Sequence, residues 1–564
     1  MMKPLFALAA LLAATATEAD ILIDNVEGYQ VGKDGELQRF RGVLVSDDGK
    51  VVRTIARDEE SDIAADRRID MEGKALLPGL IDAHGHVIDA PGGDMGLGLL
   101  MLRLDLIGTM SITDLQDRLR RHAAANFGGG WILGRGWNQE LWPNKSYPTA
   151  ADIDAVVADR PVVLARVDGH AAVANSAALR AAGLTAATPD PDGGKIERDA
   201  SGGPTGLLID NAIGLVTSKV PAATAETMDR ALQAAQDNLL ANGVTAVADM
   251  GTSPAGWSAM HRLGKAGRLK IRIIGYADGM GPLPKDVSGP SEWLYGDRLR
   301  LAGVKLFGDG ALGSRGAWLK RPYADAPGHS GLPVTSPEQL RQQAGRAAEA
   351  GFQVVIHAIG DRANAEAVSV FEGLGGKYPG DWRWRIEHVQ VLDPADIPRL
   401  VKAGIIASMQ PTHQTSDRLM AENRLDPPRL EGAYAWRSLR AAGARLAFGS
   451  DFPVESPNPF PGLAAAISRQ DMDGQPPGGW YPDERVSLAE ALDGFTRGAA
   501  YAGFADDRIG SLEPGKWADF IIVDRDPTKV DAQALARTQV LETWVAGKKV
   551  WAKEVSGAGG ERGR

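Results

Sequence analysis

Two histidines stand one residue apart in "KALLPGLIDAHGHVIDA", residues 74–90, where an apolar run from Ala75 to Ile81 ends. In a strand, residues i and i+2 face the same side. His84 and His86 therefore aim two imidazoles at one point, and Gly85 leaves the wall between them without a side chain. Two neutral imidazoles at one point suit Zn2+ or a similar borderline cation. A lone HxH pair is weak evidence, because a hydrogen-bonded structural pair has the same spacing. Further chemistry-bearing residues end other apolar segments: His357 in "FQVVIHAIGD", His388 in "WRWRIEHVQV" and Asp451 in "ARLAFGSDFP". The chain has no cysteine, so any metal must be held by His, carboxylate, lysine-derived or backbone groups.

Lys305 is the second oddity, a lysine inside the apolar segment "LAGVKLFGDG". A buried ammonium without compensation costs several kcal/mol. It can pair with a carboxylate such as Asp309. Alternatively, burial and nearby cations favour loss of its proton, and the free amine can react with CO2 to give a carbamate, a bidentate anion able to bridge two metals. Spacing alone leaves both outcomes open.

These residues need a scaffold that brings distant segments to one place. After "LLPGLIDAH", apolar segments recur at 243–251, 268–278, 301–310, 352–361, 382–391, 404–411 and 444–453, most separated by helical stretches. Ser336 with Pro337 and Gly351, Asp393 with Pro394 and Gly404, and the Ser487/Glu490 capping box punctuate those helices. The alternation predicts an α/β fold, a parallel (β/α)8 TIM barrel whose active groups sit at the C-terminal strand ends. His84 and His86 end strand one, Lys305 lies on four, His357 ends five, His388 six and Asp451 eight. That convergence makes the histidine pattern a strong signal.

Roughly 150 residues separate the first two strands, too many for a βα loop. Residues 92–225 are expected to be an inserted subdomain over the barrel mouth. Short alternating strands at both chain ends suggest one small β-sandwich. The expected domains are a signal peptide over 1–19, the N-terminal portion of the sandwich over 20–76, the barrel over 77–500, the C-terminal portion of the sandwich over 501–555 and a disordered tail over 556–564. The N-terminal "MMKPLFALAALLAATATEAD" has one lysine, an apolar run and small residues, as an export signal does. It is short of the roughly 20 residues a membrane span needs. The expectation is an exported, periplasmic protein with no membrane anchor after cleavage. A net charge of −10 argues against nucleic acid and says little about a small-molecule partner, which is the expected substrate; a homodimer is compatible with the sequence.

The chain resembles the amidohydrolase superfamily and, more narrowly, its third family, the YtcJ-like and N-substituted formamide deformylase branch. "PGLIDAHGH", "GRGWNQELWPNKSYPTAADIDAVVADRPVVLARVDGHAAVANSAAL", "GVKLFGDGALGSRGAWL", "VVIHAIGDRAN", "RIEHVQ", "GSDFP" and "LEPGKWADFIIVDRD" carry the resemblance. It implies two divalent metal ions, usually zinc. His84, His86 and Asp451 would hold one, His357 and His388 the other, with a carboxylated Lys305 as bridge. Metal-activated water would then cleave a non-peptide C–N bond of an amide or formamide, Asp451 passing the proton to the leaving nitrogen.

Weaker candidates are His170 and Arg315 as substrate contacts, the latter through a bidentate grip on a carboxylate or, instead, on a neighbouring protein carboxylate. Trp137, with Trp131 and Trp142, could line an aromatic pocket, although tryptophans so spaced are more often core. Asp361 and Glu387 flank ligand histidines; Glu387, one residue from His388, should face away from the metal. Two rivals remain: a mononuclear deaminase or cyclic amide or dipeptide hydrolase of the same superfamily, and a non-catalytic periplasmic binding protein.

Overall fold

The computed structural model describes residues 20–59, 63–90, 96–125, 130–167, 170–281, 283–284 and 287–554. The expected signal peptide and the 556–564 tail lie outside these residues. The described chain divides into two compact units. One holds residues up to His86, Gln236–Trp257 and Leu263 onward; the other holds Val87–Ala235 and Ser258–Arg262.

In the first unit, eight strands form one sheet: β1 Leu80–Gly85, β2 Val244–Thr252, β3 Arg272–Asp278, β4 Leu299–Phe307, β5 Gln353–Ala358, β6 Arg385–His388, β7 Ile406–Met409 and β8 Arg445–Phe448. Their order in the sheet is their order in sequence, and every neighbouring pair is parallel. The sheet nearly closes, because Gly85 bridges to Phe452 and Asp451 N donates to His84 O at 2.7 Å. A Cβ on Gly85 would run into the Phe452 ring, so the glycine is what lets the first and last strands meet. The arrangement is that of a TIM barrel. All nine residues of β2 are buried, as expected of parallel strands covered on both faces, which read as continuous apolar runs.

The strands stop earlier than the apolar segments. β6 ends at His388, whose φ of 76° leaves the strand region, and Asp451 beyond β8 has φ 59°. The rim residues are turned out of the ladder by their own backbone, which a hydrophobicity pattern does not record. The helix signals match the elements: Ser336 and Gln339 form a capping box on Pro337–Glu349, and Ser487 and Glu490 one on Leu488–Gly494.

Both chain ends contribute to two smaller sheets. A six-stranded sheet pairs Phe520–Val523 with Ala75–Pro78 in antiparallel register and continues through Glu27–Val31. A four-stranded sheet is built from Ile21–Asp24, Gly42–Val45, Val51–Ile55 and Arg67–Asp70. Ile23, Val43, Leu76, Phe520 and Trp544 share one buried cluster drawn from both sheets. The turn at Ala546-Gly547, both with positive φ, joins Val540–Val545 to Lys548–Ala552, as hairpin twist requires. The second unit has its own six-stranded sheet, from Leu104–Asp105 to Pro204–Asp210, and its own apolar core.

Candidate metal centre

The C-terminal ends of the barrel strands bring His84, His86, Lys305, His357, His388 and Asp451 into one cluster, in which His86 and His357 are half-buried and the other four buried. Ligand atoms of His84, His388 and Asp451 lie within 4.8 Å of one another. The His84 and His388 rings are 4.7 Å apart, and His357 and His388 4.5 Å. His86 Nε2 and His84 Nε2 stand 3.1 and 3.4 Å from Asp451 Oδ1. Lys305 Nζ donates to His84 Nε2 at 3.2 Å.

Hydrogen bonds fix which nitrogen each ring offers. His84 Nδ1 donates to Glu387 Oε2 at 2.6 Å, and His388 Nδ1 to Gln410 Oε1 at 2.9 Å. Each ring's lone pair is therefore on Nε2, the tautomer a metal ligand needs. Glu387 does not face away, as strand alternation suggests it should. The left-handed backbone at His388 breaks the alternation, so Glu387 points into the barrel and orients His84.

Burial acts on most of these groups. It is the main cause holding His84 down at about 4 and His357 at about 3, with the nearby Lys305 charge adding to both. Burial, with the neighbouring histidines, also places His388 well below its ordinary range. The imidazoles of His84, His357 and His388 are thus neutral donors near pH 7. Burial lowers Lys305 to about 8, although Glu387 and Asp451 oppose it. Burial pushes the Glu387 carboxyl up, but Arg385, His84 and Lys305 outweigh it and hold it at about 2. Asp451 feels burial too, and the surrounding histidines keep it well below its usual range.

Asp82 anchors the cluster from behind. It accepts from His84 N at 3.0 Å and from Ser450 Oγ at 2.6 Å, joining the end of β1 to the turn that carries Asp451. A Cβ on Gly449 would lie 2.5 Å from Asp82 Oδ1. Asp309 is not the partner of Lys305. Its carboxylate accepts from the backbone N–H of Trp318, Ile359 and Gly360 at 2.7, 2.9 and 2.8 Å and binds loop to loop.

The donor set fits divalent metal. It offers imidazoles with lone pairs facing inward, an ionised carboxylate and a lysine amine shifted toward its neutral form. His357 Nε2 is buried and has no hydrogen-bond partner among the described residues.

The other sequence candidates lie elsewhere. Trp137 is fully buried in the core of the second unit, its indole N–H donating to Leu164 O at 2.7 Å. The reading of Trp137 as a substrate contact is corrected to a core role. Its 6.4 Å neighbour Trp142 is buried with it. Arg315 grips Asp325 through two bonds of 3.1 and 2.8 Å, so the carboxylate it holds is the protein's own. His170, in the second unit, has its side chain 78% exposed and pairs with Asp210 at 2.8 Å. Asp361 accepts from Lys320 N at 2.7 Å and binds a loop, not a histidine.

One residue escaped the sequence reading. His413 is buried, and its Nε2 lies 3.8 Å from Asp451 Oδ2. It sits in the helix Pro411–Arg424 that leaves β7. The signal was present: a proline at the first helical position straight after a barrel strand puts the first turn of that helix on the same rim.

A family model described as "Amidohydrolase family" matches residues 67–551. "Protein LONG AFTER FAR-RED 3" of Arabidopsis thaliana is 37% identical over 505 residues, covering 86% of this chain and 83% of that protein. "N-substituted formamide deformylase" of Arthrobacter pascens is 28% identical over 498 residues, covering 85% and 89%. The crystal structure of an uncharacterized metal-dependent hydrolase from Pyrococcus horikoshii superposes with a TM-score of 0.71 at 29% identity, covering 91% of this chain and 99% of that one.

Proposed function

The chain belongs to the amidohydrolase family and is a metal-dependent hydrolase acting on C–N bonds; from that premise we propose that it cleaves a non-peptide amide or N-substituted formamide at a two-metal site. The observation that carries the reading is the convergence of the His84 and His388 Nε2 lone pairs on Asp451, with the Lys305 amine in contact with His84. The formamide class is favoured because a relative matched over most of both chains bears that activity in its name.

In this reading His84, His86 and Asp451 would hold one ion and His357 and His388 the other, and Lys305 would serve as a carbamate ligand to them. When bound, divalent ions would supply Lewis-acid polarisation of the acyl group and a more acidic water. Asp451, ionised and set beside three histidines, takes the proton of the attacking water and delivers it to the leaving nitrogen as the C–N bond breaks. Glu387 keeps the His84 ring in its donor tautomer. The two end sheets read as one β-sandwich domain, and residues 1–19 as a cleaved export signal; among the described residues, no helix is long and apolar enough to cross a membrane. The partner is a small molecule.

A second reading, a mononuclear site in a deaminase or cyclic amide hydrolase, also has an observation behind it. Among the described residues, the group of three or more histidines and carboxylates whose ligand atoms all lie within 4.8 Å of one another is His84, His388 and Asp451. Elemental analysis after loading with zinc and bicarbonate separates the two. About two equivalents per chain are expected, and a ceiling of one would leave the mononuclear reading. Lys305→Ala should lose metal and activity together. Lys305→Arg should not rescue, because a guanidinium stays cationic and cannot become a bridging anion; an active, fully loaded Lys305→Arg enzyme would remove the carbamate. A panel of N-formyl and N-acyl amines tests the substrate, and turnover confined to cyclic amides or aminated heterocycles would overturn the amide assignment.

A further inference from the structure

His413 occupies the third position of the helix Pro411–Arg424, which is separated from β7 by Gln410 alone. Its ring lies 6.0 Å from that of His388 and within 23° of parallel to it. On the far side, His413 Nδ1 lies 3.3 Å from Gln390 Nε2. That same amide nitrogen donates to Asp417 Oδ2 at 3.1 Å, and Asp417 Oδ2 also accepts from the Tyr434 hydroxyl at 2.7 Å. A carboxylate accepts only, so it fixes which end of the Gln390 amide is the NH2. The NH2 in turn requires His413 Nδ1 to be the acceptor. The ring proton is therefore on Nε2, the atom that faces Asp451 at 3.8 Å.

That Nε2–H is buried and has no hydrogen-bond partner among the described residues. A buried donor left unmade costs free energy, yet three residues combine to hold it in this orientation. A distance of 3.8 Å is too long for a bond to Asp451 itself. It does suit a ligand that meets both groups at once. In the tetrahedral species of amide hydrolysis, the developing oxyanion and the leaving nitrogen sit on one carbon. A fixed donor beside the proton-carrying carboxylate can serve the oxygen while Asp451 serves the nitrogen.

We propose that His413 is a catalytic hydrogen-bond donor, its Nε2–H holding the acyl oxygen of the substrate as negative charge develops there, with Gln390, Asp417 and Tyr434 as the positioning residues that set its tautomer. The proposal rests on the C–N hydrolase reading above. It differs from a metal-ligand role, which needs a lone pair on Nε2, and from a purely structural role, which needs no free donor.

The test uses the zinc-loaded full chain, with methylphosphonate as a small tetrahedral oxyanion that requires no turnover. His413→Asn keeps an acceptor for Gln390 but cannot reach the Nε2 position; His413→Gln can. His413→Asn should keep wild-type zinc content and bind methylphosphonate about ten- to a hundredfold more weakly by calorimetry. Its kcat on the best N-acyl substrate should fall about 10²- to 10³-fold, and His413→Gln should recover most of both losses. Gln390→Met, which leaves the ring but frees its tautomer, should weaken methylphosphonate binding in the same direction by a smaller factor, and it serves if His413→Asn fails to fold. Loss of zinc in His413→Asn would make His413 a ligand and overturn the proposal. Wild-type methylphosphonate affinity in His413→Asn, or in Gln390→Met, would do the same. If the wild-type enzyme hydrolyses no N-acyl compound, the amide reading fails, while the methylphosphonate titration still decides whether His413 is a donor to a bound oxyanion.

Discussion

Two buried polar layers lie within the same barrel, and they are built to opposite rules. The lower one centres on Arg385, which is fully buried near the start of β6. Its guanidinium donates to Glu387 Oε1 and Oε2 at 2.9 and 3.2 Å, to Ala83 O at 2.7 Å, to Ser408 Oγ at 2.9 Å and to Tyr276 Oη at 3.3 Å. The upper one is the rim: His86 Nδ1, His357 Nε2, Gln410 Nε2 and His413 Nε2 are buried there without hydrogen-bond partners among the described residues. A buried polar group left unpaired is costly. The rim therefore stores that cost where a ligand can relieve it, and the Arg385 layer, closed on itself, holds the rim residues in place. Glu387 belongs to both layers, since one of its oxygens serves Arg385 and His84 together.

The sharpest way to break this contrast is to open the closed layer. Arg385→Met leaves Glu387 buried with its main counter-charge gone. Breaking one side of a buried pair costs about 3–5 kcal/mol, and here the surviving carboxylate keeps only His84 and Lys305 nearby. Denaturant unfolding of the metal-free protein should show that loss. A change below about 1 kcal/mol would mean that the layer is not what holds the barrel ends in register, and that the two layers differ in geometry alone.

A smaller effect is expected where the layers join. Glu387→Gln preserves shape but offers His84 Nδ1 a weaker acceptor and removes the charge that favours the Nδ1–H tautomer. Outer partners of ligating histidines typically contribute ten- to a hundredfold to metal affinity. Zinc affinity measured against a competing chelator should fall by about that factor. Unchanged affinity would separate Glu387 from the site and leave it to Arg385 alone.

The two layers also differ in how well the sequence announces them. The rim is legible because its residues are rare and local: an HxH pair, a lysine in an apolar strand and an aspartate ending another. Strand counting then places them on one face. The Arg385 layer is not legible, because an arginine within "WRWRIEHVQV" reads as an exposed strand position until the sheet closes around it. The direction of Glu387 is hidden for a related reason: the positive φ of His388 breaks the two-residue period, and no spacing rule contains that bend. Trp137 shows the limit from the other side. Its place in the second unit's core depends on a carbonyl partner 27 residues away, which composition cannot supply.

The mildest test removes one acceptor from the closed layer and leaves the charges alone. Ser408→Ala deletes the Oγ that accepts from Arg385 Nη2 at 2.9 Å, yet the same nitrogen keeps Ala83 O and Glu387 Oε2. Because the donor is not orphaned, the cost should be near the net value of one hydrogen bond, about 1 kcal/mol. Zinc content and kcat should stay at wild-type values, since the Ser408 hydroxyl bonds Arg385. If Ser408→Ala instead lowered metal affinity as far as Glu387→Gln does, the two layers would have to be treated as one network in which Arg385 tunes the rim through Glu387. If its stability cost approached that of Arg385→Met, the guanidinium would depend on all of its acceptors at once, and the closed layer would be cooperative rather than a sum of separate bonds.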